Sequence, residues 1–184
     1  MSLMPMSEEV RRLHKRLKRL PPACISGFRA DPREPPGRGF WCPTAFWLTC
    51  RCGKGQDIGR ILGHPLGDYN PACAEPVQFV SPLGFKCSGC GRITEVIDTG
   101  WHGYNGMSGS SAVFRGKGRR RAFRRPKCDR EKLSLMVTFA YREGIFQVMK
   151  KEPAKKIKDY FDGFQAHAFC GDCCQIVFVA GFDV

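Results

Sequence analysis

Two short turns carry cysteines at spacings that suit a tetrahedral ion: Cys50-Arg51-Cys52-Gly53 and Cys87-Ser88-Gly89-Cys90-Gly91. In each, a glycine ends the turn and strand-like residues flank it, so the backbone can fold around an ion and aim two thiolates at it. Cys50, Cys52, Cys87 and Cys90 together are expected to form a closed structural zinc site, in which sulfurs stand about 2.3 Å from the metal. Four thiolates on one dication leave a net negative charge, and Arg51, Lys54, Lys86 and Arg92 stand beside them to soften it. The rival reading is a redox C-x-x-C. Thioredoxin-like motifs open a helix, however, and strand-like residues follow here.

A third cysteine turn, Cys170-Gly171-Asp172-Cys173-Cys174, lies near the C-terminus. Cys170 and Cys173 have ligand spacing, and Cys128 precedes a strand-like run as a ligand turn should. Cys128, Cys170 and Cys173 are therefore candidate ligands of a second zinc, with Cys174 as an adjacent substitute. His167, Asp172, Cys24, Cys42 and Cys73 compete for the fourth position. The plainer alternative is that these cysteines are small buried residues carrying reduced thiols.

The elements that must position these turns are bounded by composition. A chain of 184 residues with 42% hydrophobic content can form one ordinary domain or two small ones with a real core. Its net charge of +13 suits an acidic partner: nucleic acid, an anionic membrane surface or an acidic protein. Eleven cysteines is an odd number, and the C-x-C and C-x-x-C spacings fit metal better than disulfides. The first twenty residues lack the apolar core of a signal peptide, and no apolar run is long enough to span a bilayer. A reducing, cytoplasmic location is the expectation.

Taken in order, Ser7 caps an expected basic amphipathic helix with Val10, Leu13, Leu17 and Leu20 on one face, stopped by Pro21-Pro22. Residues 21–39 read as an irregular connector. Ala45 to Thr49 is a strand delivering Cys50, with Ile58 to Leu62 as its return. Val77 to Val80 and Leu83 to Lys86 lead into the second turn, and Arg92 to Ile97 leaves it. Leu133, Leu135, Val137, Phe139 and Tyr141 alternate as in a half-buried strand, with Ile145 to Met149 as the expected hairpin partner. Ile157, Tyr160, Phe161 and Phe164 predict an amphipathic helix from Pro153 to Phe164. Ile176 to Phe182 is a terminal strand. The expected fold is α+β and mostly β: zinc-ribbon-like antiparallel strands with a basic N-terminal helix and one amphipathic C-terminal helix. The expected organisation is a helix and connector over 1–39, a zinc-ribbon-like module over 40–106, a flexible basic loop over 107–127 and a second cysteine-turn module over 128–184.

The C-x-C-G of Cys50 to Gly53, the C-x-x-C-G of Cys87 to Gly91 and the His-Gly-Tyr-Asn-Gly of His102 to Gly106 resemble small bacterial zinc-ribbon proteins of unassigned function. The resemblance covers the central third of the chain. It implies metal ligation by Cys50, Cys52, Cys87 and Cys90 and says nothing about a substrate.

Three functions follow from these features. The first is a non-enzymatic structural or protein-interaction module held by zinc, its basic segment docking an acidic partner. The second is a nucleic-acid-binding protein using Arg115, Lys117, Arg119, Arg120, Arg121, Arg124 and Arg125, with Phe114 and Phe123 stacking on bases. The third is an enzyme with His102 as acid or base beside Asp98 and Tyr104, supported by His64 and Asp68. No Walker loop, nucleophile elbow or H-E-x-x-H is present, and no small-molecule substrate is indicated.

Overall fold

The computed structural model describes residues 8, 11, 12, 15, 21–33, 44–54, 57–67, 78–102, 115–125, 128–141 and 161–183. These residues form a curled half-barrel that is nearly all antiparallel sheet. Its strands are β1 (Phe28–Arg33), β2 (Thr44–Cys50), β3 (Ile58–Pro65), β4 (Phe79–Cys87), β5 (Ile93–Ile97), β6 (Arg121–Ala122), β7 (Leu133–Ala140), β8 (Gly163–Cys170) and β9 (Gln175–Asp183). The single helical element among the described residues is a 3-10 turn, Ala23–Ile25.

The expected α+β class is therefore corrected to an all-β fold. At the C-terminal end of the expected Pro153 to Phe164 helix, Gly163 and Phe164 begin β8 instead, paired to Ala140 and Phe139 of β7. Of the expected N-terminal basic helix, only Glu8, Arg11, Arg12 and Lys15 are described. Those isolated positions have helical backbone, but they are exposed and amount to no element of the fold. The expected Ile145 to Met149 return strand lies outside the described residues.

Strand β7 is the axis. One of its edges pairs from Ser134 to Ala140 with β8, which pairs in turn with β9. Its other edge is shared: Leu135 to Phe139 pair with β2, and Leu133 and Ser134 pair with the start of β3. The sheet forks there, one branch running β2–β1 and the other β3–β4–β5. The branches curl towards each other, with the 3-10 turn packed on β5 and the ring of Phe28 meeting that of Phe85 edge-on at 6.1 Å.

This enclosure buries both faces of β7. Leu133, Leu135, Val137 and Phe139 face the main core, and Ser134, Met136 and Thr138 are buried on the other side. The strict alternation seen in the sequence thus marks a central strand, not a half-buried one. Phe139 meets Phe46 at 6.1 Å, Phe161 at 5.1 Å and Phe164 at 5.5 Å, all edge-on. Edge-on rings at these distances add to the free energy of burying them. Truncating such a residue removes contacts to β2 and β8 together. Phe139→Ala is expected to destabilise the protein by about 3–5 kcal/mol in a chemical denaturation series, with Phe139→Leu costing clearly less.

Candidate metal centre

Strand β2 ends on Cys50, and the chain turns through Cys52 to Gly53, whose φ of 69° suits glycine. Strand β4 ends on Cys87 and turns through Cys90 to Gly91, with φ 71°. The second turn is closed by Gly91 N–H donating to Cys87 O at 3.0 Å and Cys87 N–H to Arg92 O at 3.0 Å. It is fastened to the first residue of β3, because the backbone N–H and the hydroxyl of Ser88 both donate to Ile58 O, at 3.1 and 2.7 Å.

These constraints bring the four sulfurs together. Cys50 Sγ lies 3.8 Å from Cys90 Sγ, Cys52 Sγ lies 3.6 Å from Cys87 Sγ, and all four fall within 4.8 Å of one another. Sulfurs about 2.3 Å from a central ion at tetrahedral angles are about 3.8 Å apart. A disulfide would need about 2.05 Å. Two backbone N–H groups point at sulfur, from Lys54 to Cys52 at 3.3 Å and from Gly89 to Cys87 at 3.4 Å. Such donors stabilise thiolate. Cys50 and Cys87 are buried, while Cys52 and Cys90 are exposed.

Of the cations expected nearby, Arg51 instead reaches across to β1, donating to Ser26 O at 2.6 Å and Phe28 O at 3.4 Å. It ties the turn to the edge of the sheet. The Cys52 backbone N–H pulls the Cys50 pKa down, but burial and the crowded thiols of Cys52, Cys90 and Cys87 outweigh it and push it up to about 12. Without an ion, Cys50 therefore holds its proton at neutral pH, and an ion must displace it.

A second group brings together Cys128, Cys170 at the end of β8, and Cys173, with Cys128 Sγ 3.8 Å from Cys170 Sγ. The ligand atoms of this trio are also close enough to hold an ion. No other His, Cys, Asp or Glu among the described residues joins it. Asp172 pairs with Arg130 at 3.0 Å, and His167 lies edge-on to Phe178. Cys24 is in the 3-10 turn, while Cys42 and Cys73 lie outside the described residues. The guanidinium of Arg125, expected from the sequence to lie in a basic loop, touches both Cys128 and Cys173. Burial raises the Cys128 thiol pKa, but the Arg130 backbone N–H and Arg125 outweigh it and leave it below the ordinary value. Burial leaves Cys170 above it.

The basic segment is largely engaged within the protein. Arg115 pairs with Asp98, Arg120 with Glu95 at 2.6 Å, and Arg124 with Glu131 at 2.8 Å. Lys117, Arg119 and Arg121 are exposed and make no ion pair among the described residues. Phe123 is 1% exposed and packs edge-on to Phe79 at 5.5 Å, so it offers no face to a base; Phe114 lies outside the described residues. His102 Nδ1 accepts the Asp98 backbone N–H at 3.2 Å, and the Asp98 carboxylate is taken by Arg115 and the Gly100 N–H. These bonds hold a turn together. Tyr104 and Asp68, the other members of the expected acid/base set, lie outside the described residues.

Compared with protein-family models, curated proteins and solved structures, the chain matches none. The resemblance to zinc-ribbon proteins is supported by the cysteine groups alone. No described helix is long and apolar enough to cross a membrane.

Cys87→Ser is expected to abolish metal retention at the first group and to lower the melting temperature, because ligation and folding share their free energy. Full metal content with unchanged melting would remove this group from consideration. Since Cys50 must lose its proton, zinc affinity should fall as pH falls, and binding should release protons. Calorimetric titration in two buffers of different ionisation enthalpy reads that release directly.

Proposed function

We propose that this chain is a non-enzymatic zinc-stabilised β module, structural or protein-interacting in role, with Cys50, Cys52, Cys87 and Cys90 holding one structural zinc and the basic segment docking an acidic partner. The observation that carries the reading is the sulfur spacing of 3.6 and 3.8 Å between two turns that come from different strands. Four protein ligands leave no open coordination position, so zinc held this way is structural and not catalytic. The ion joins the end of β2 to the end of β4, one from each of the two diverging branches.

The test is zinc per chain, by elemental mass spectrometry on protein purified without added zinc, followed by melting before and after chelation. Bound zinc whose removal lowers the melting temperature is the expected result. A metal-free protein with intact thiols and the same melting temperature would overturn the reading.

A second reading, nucleic-acid binding, draws on a groove of about 890 Å³ lined by Arg119, Arg121 and Arg124. Trp101 is 84% exposed in the turn that Arg115 holds, and an exposed indole is the kind of platform on which bases stack. Only Lys117, Arg119 and Arg121 of the seven candidate cations are without an internal ion pair or sulfur contact among the described residues. Contact with three duplex phosphates gives a log–log salt slope of about −3. Under this reading, a fluorescence-anisotropy titration of a short duplex should show that slope, and it should flatten in Lys117→Ala/Arg119→Ala/Arg121→Ala. Capture of a protein partner that survives nuclease treatment is the outcome that favours the first reading.

A further inference from the structure

The two cysteine groups are built on the same plan. In the first, a cysteine turn precedes β3, β3 and β4 run antiparallel, and a second turn leads from β4 into β5. In the second, a turn precedes β7, β7 and β8 run antiparallel, and the Cys170 turn leads from β8 into β9.

The turn before β7 reproduces the Cys87 turn bond for bond. There, Cys87 N–H donates to Arg92 O, Gly91 N–H donates to Cys87 O, and Gly91 has positive φ. Here, Arg125 N–H donates to Arg130 O at 3.1 Å, Asp129 N–H donates to Arg125 O at 2.8 Å, and Asp129 has φ 50°. Arg125 stands where the first cysteine of a C-x-x-C-G turn belongs, and Cys128 stands at the second. In the Cys170 turn, Cys174 with φ 52° takes the glycine position.

The contacts across each group match as well. In the first, the leading cysteine, Cys50, faces the last, Cys90, and Cys52 faces Cys87. In the second, Cys128 faces Cys170 at 3.8 Å, and the remaining corner, opposite Cys173, is filled by Arg125. Its Nη1 donates to Cys128 Sγ at 3.5 Å and lies against Cys173 Sγ, while Nη2 lies against Gln175 Oε1. Arg125 is 2% exposed. An arginine side chain is longer than a cysteine's, so its guanidinium reaches past the ligand corner into the space between the sulfurs. A buried cation needs partners that accept its donors: Nη1 meets sulfur, Nη2 meets Gln175, and the buried Nε meets no acceptor among the described residues.

We infer that the second group is a zinc-ribbon site in which Arg125 has replaced both the first ligand and the ion, so that a guanidinium, and no metal, sits among Cys128, Cys170 and Cys173. The guanidinium keeps its charge at every pH the fold survives, so this centre holds its cation without drawing on the metal supply.

Restoring the cysteine should restore the metal. Arg125→Cys completes a C-x-x-C turn with Cys128, facing Cys170 and Cys173, and native mass spectrometry with zinc supplied should show a gain of one zinc per chain over the wild type. Cys170→Ser in the otherwise unchanged protein should leave the zinc count as it was. No gain in Arg125→Cys, or a loss of one zinc in Cys170→Ser, overturns the inference. If Arg125→Cys does not fold, the Cys170→Ser count decides alone. Both are read as differences from the wild type, so they stand whether or not the first group holds zinc, which Cys87→Ser tests separately.

Discussion

The fork at β7 is the constraint that the rest of the molecule answers. One strand edge cannot continue to pair with two neighbours, so β2 and β3 must separate where Cys50 ends and Ile58 begins. Backbone groups at such a split lose ladder partners, and buried ones must be satisfied some other way. The cysteine turns do this locally: Gly53 N–H returns to Cys50 O, Ser88 caps Ile58 O twice, and the N–H groups of Lys54 and Gly89 end on sulfur. An ion among the four sulfurs would then hold the separated branches at a fixed spacing. Structural zinc sites supply about 10–16 kcal/mol of apparent binding free energy, comparable with a typical fold's net stability of about 5–15 kcal/mol.

The same physics explains why so basic a chain leaves few of the cations in this segment free. Residues 115–125 are laid across the open side of β3 and β4. Gly116 N–H bonds to Ser81 O, Arg121 and Ala122 pair with β3, and Phe123 N–H bonds to Ile61 O. The approach is close: a Cβ on Gly116 would sit 2.1 Å from His64 Cβ, so this position must be glycine. His64 is buried beneath it, and burial first, then Arg120, lowers its pKa. Its neutral form is the one the fold favours, and protonation as pH falls below about 6.5 works against folding. Arg115, Arg120 and Arg124 pair with Asp98, Glu95 and Glu131, and composition alone could not reveal that.

What is legible in the sequence is local chemistry. The turns at Cys50 and Cys87 announce themselves because ligand spacing and positive-φ glycine are both written in adjacent residues. Strands β2, β3, β5, β7 and β9 are visible as apolar runs between turns. Strand β8 is not, because Phe161 and Phe164 complete a helical stripe with Ile157 and Tyr160, and only pairing with β7 decides that Phe164 belongs to a strand. Strand β1 is hidden by Pro32, which an edge strand tolerates and a central one does not. The partners of β7 are set by residues far away in sequence, which no local pattern encodes.

Arg125 shows the limit from the other side. Within a run of arginines it reads as one more surface charge, and a ligand is sought among Cys and His. Yet the backbone around it keeps the cysteine-turn form without the glycine that usually permits it: Asp129 and Cys174 both take positive φ, at a cost of about 1 kcal/mol each. In the first group, where glycine removes the strain, the sulfurs leave a space of the right size for an ion; in the second, a guanidinium is already bonded to sulfur. The same turn form thus frames four sulfurs in the first group and three sulfurs with a guanidinium in the second.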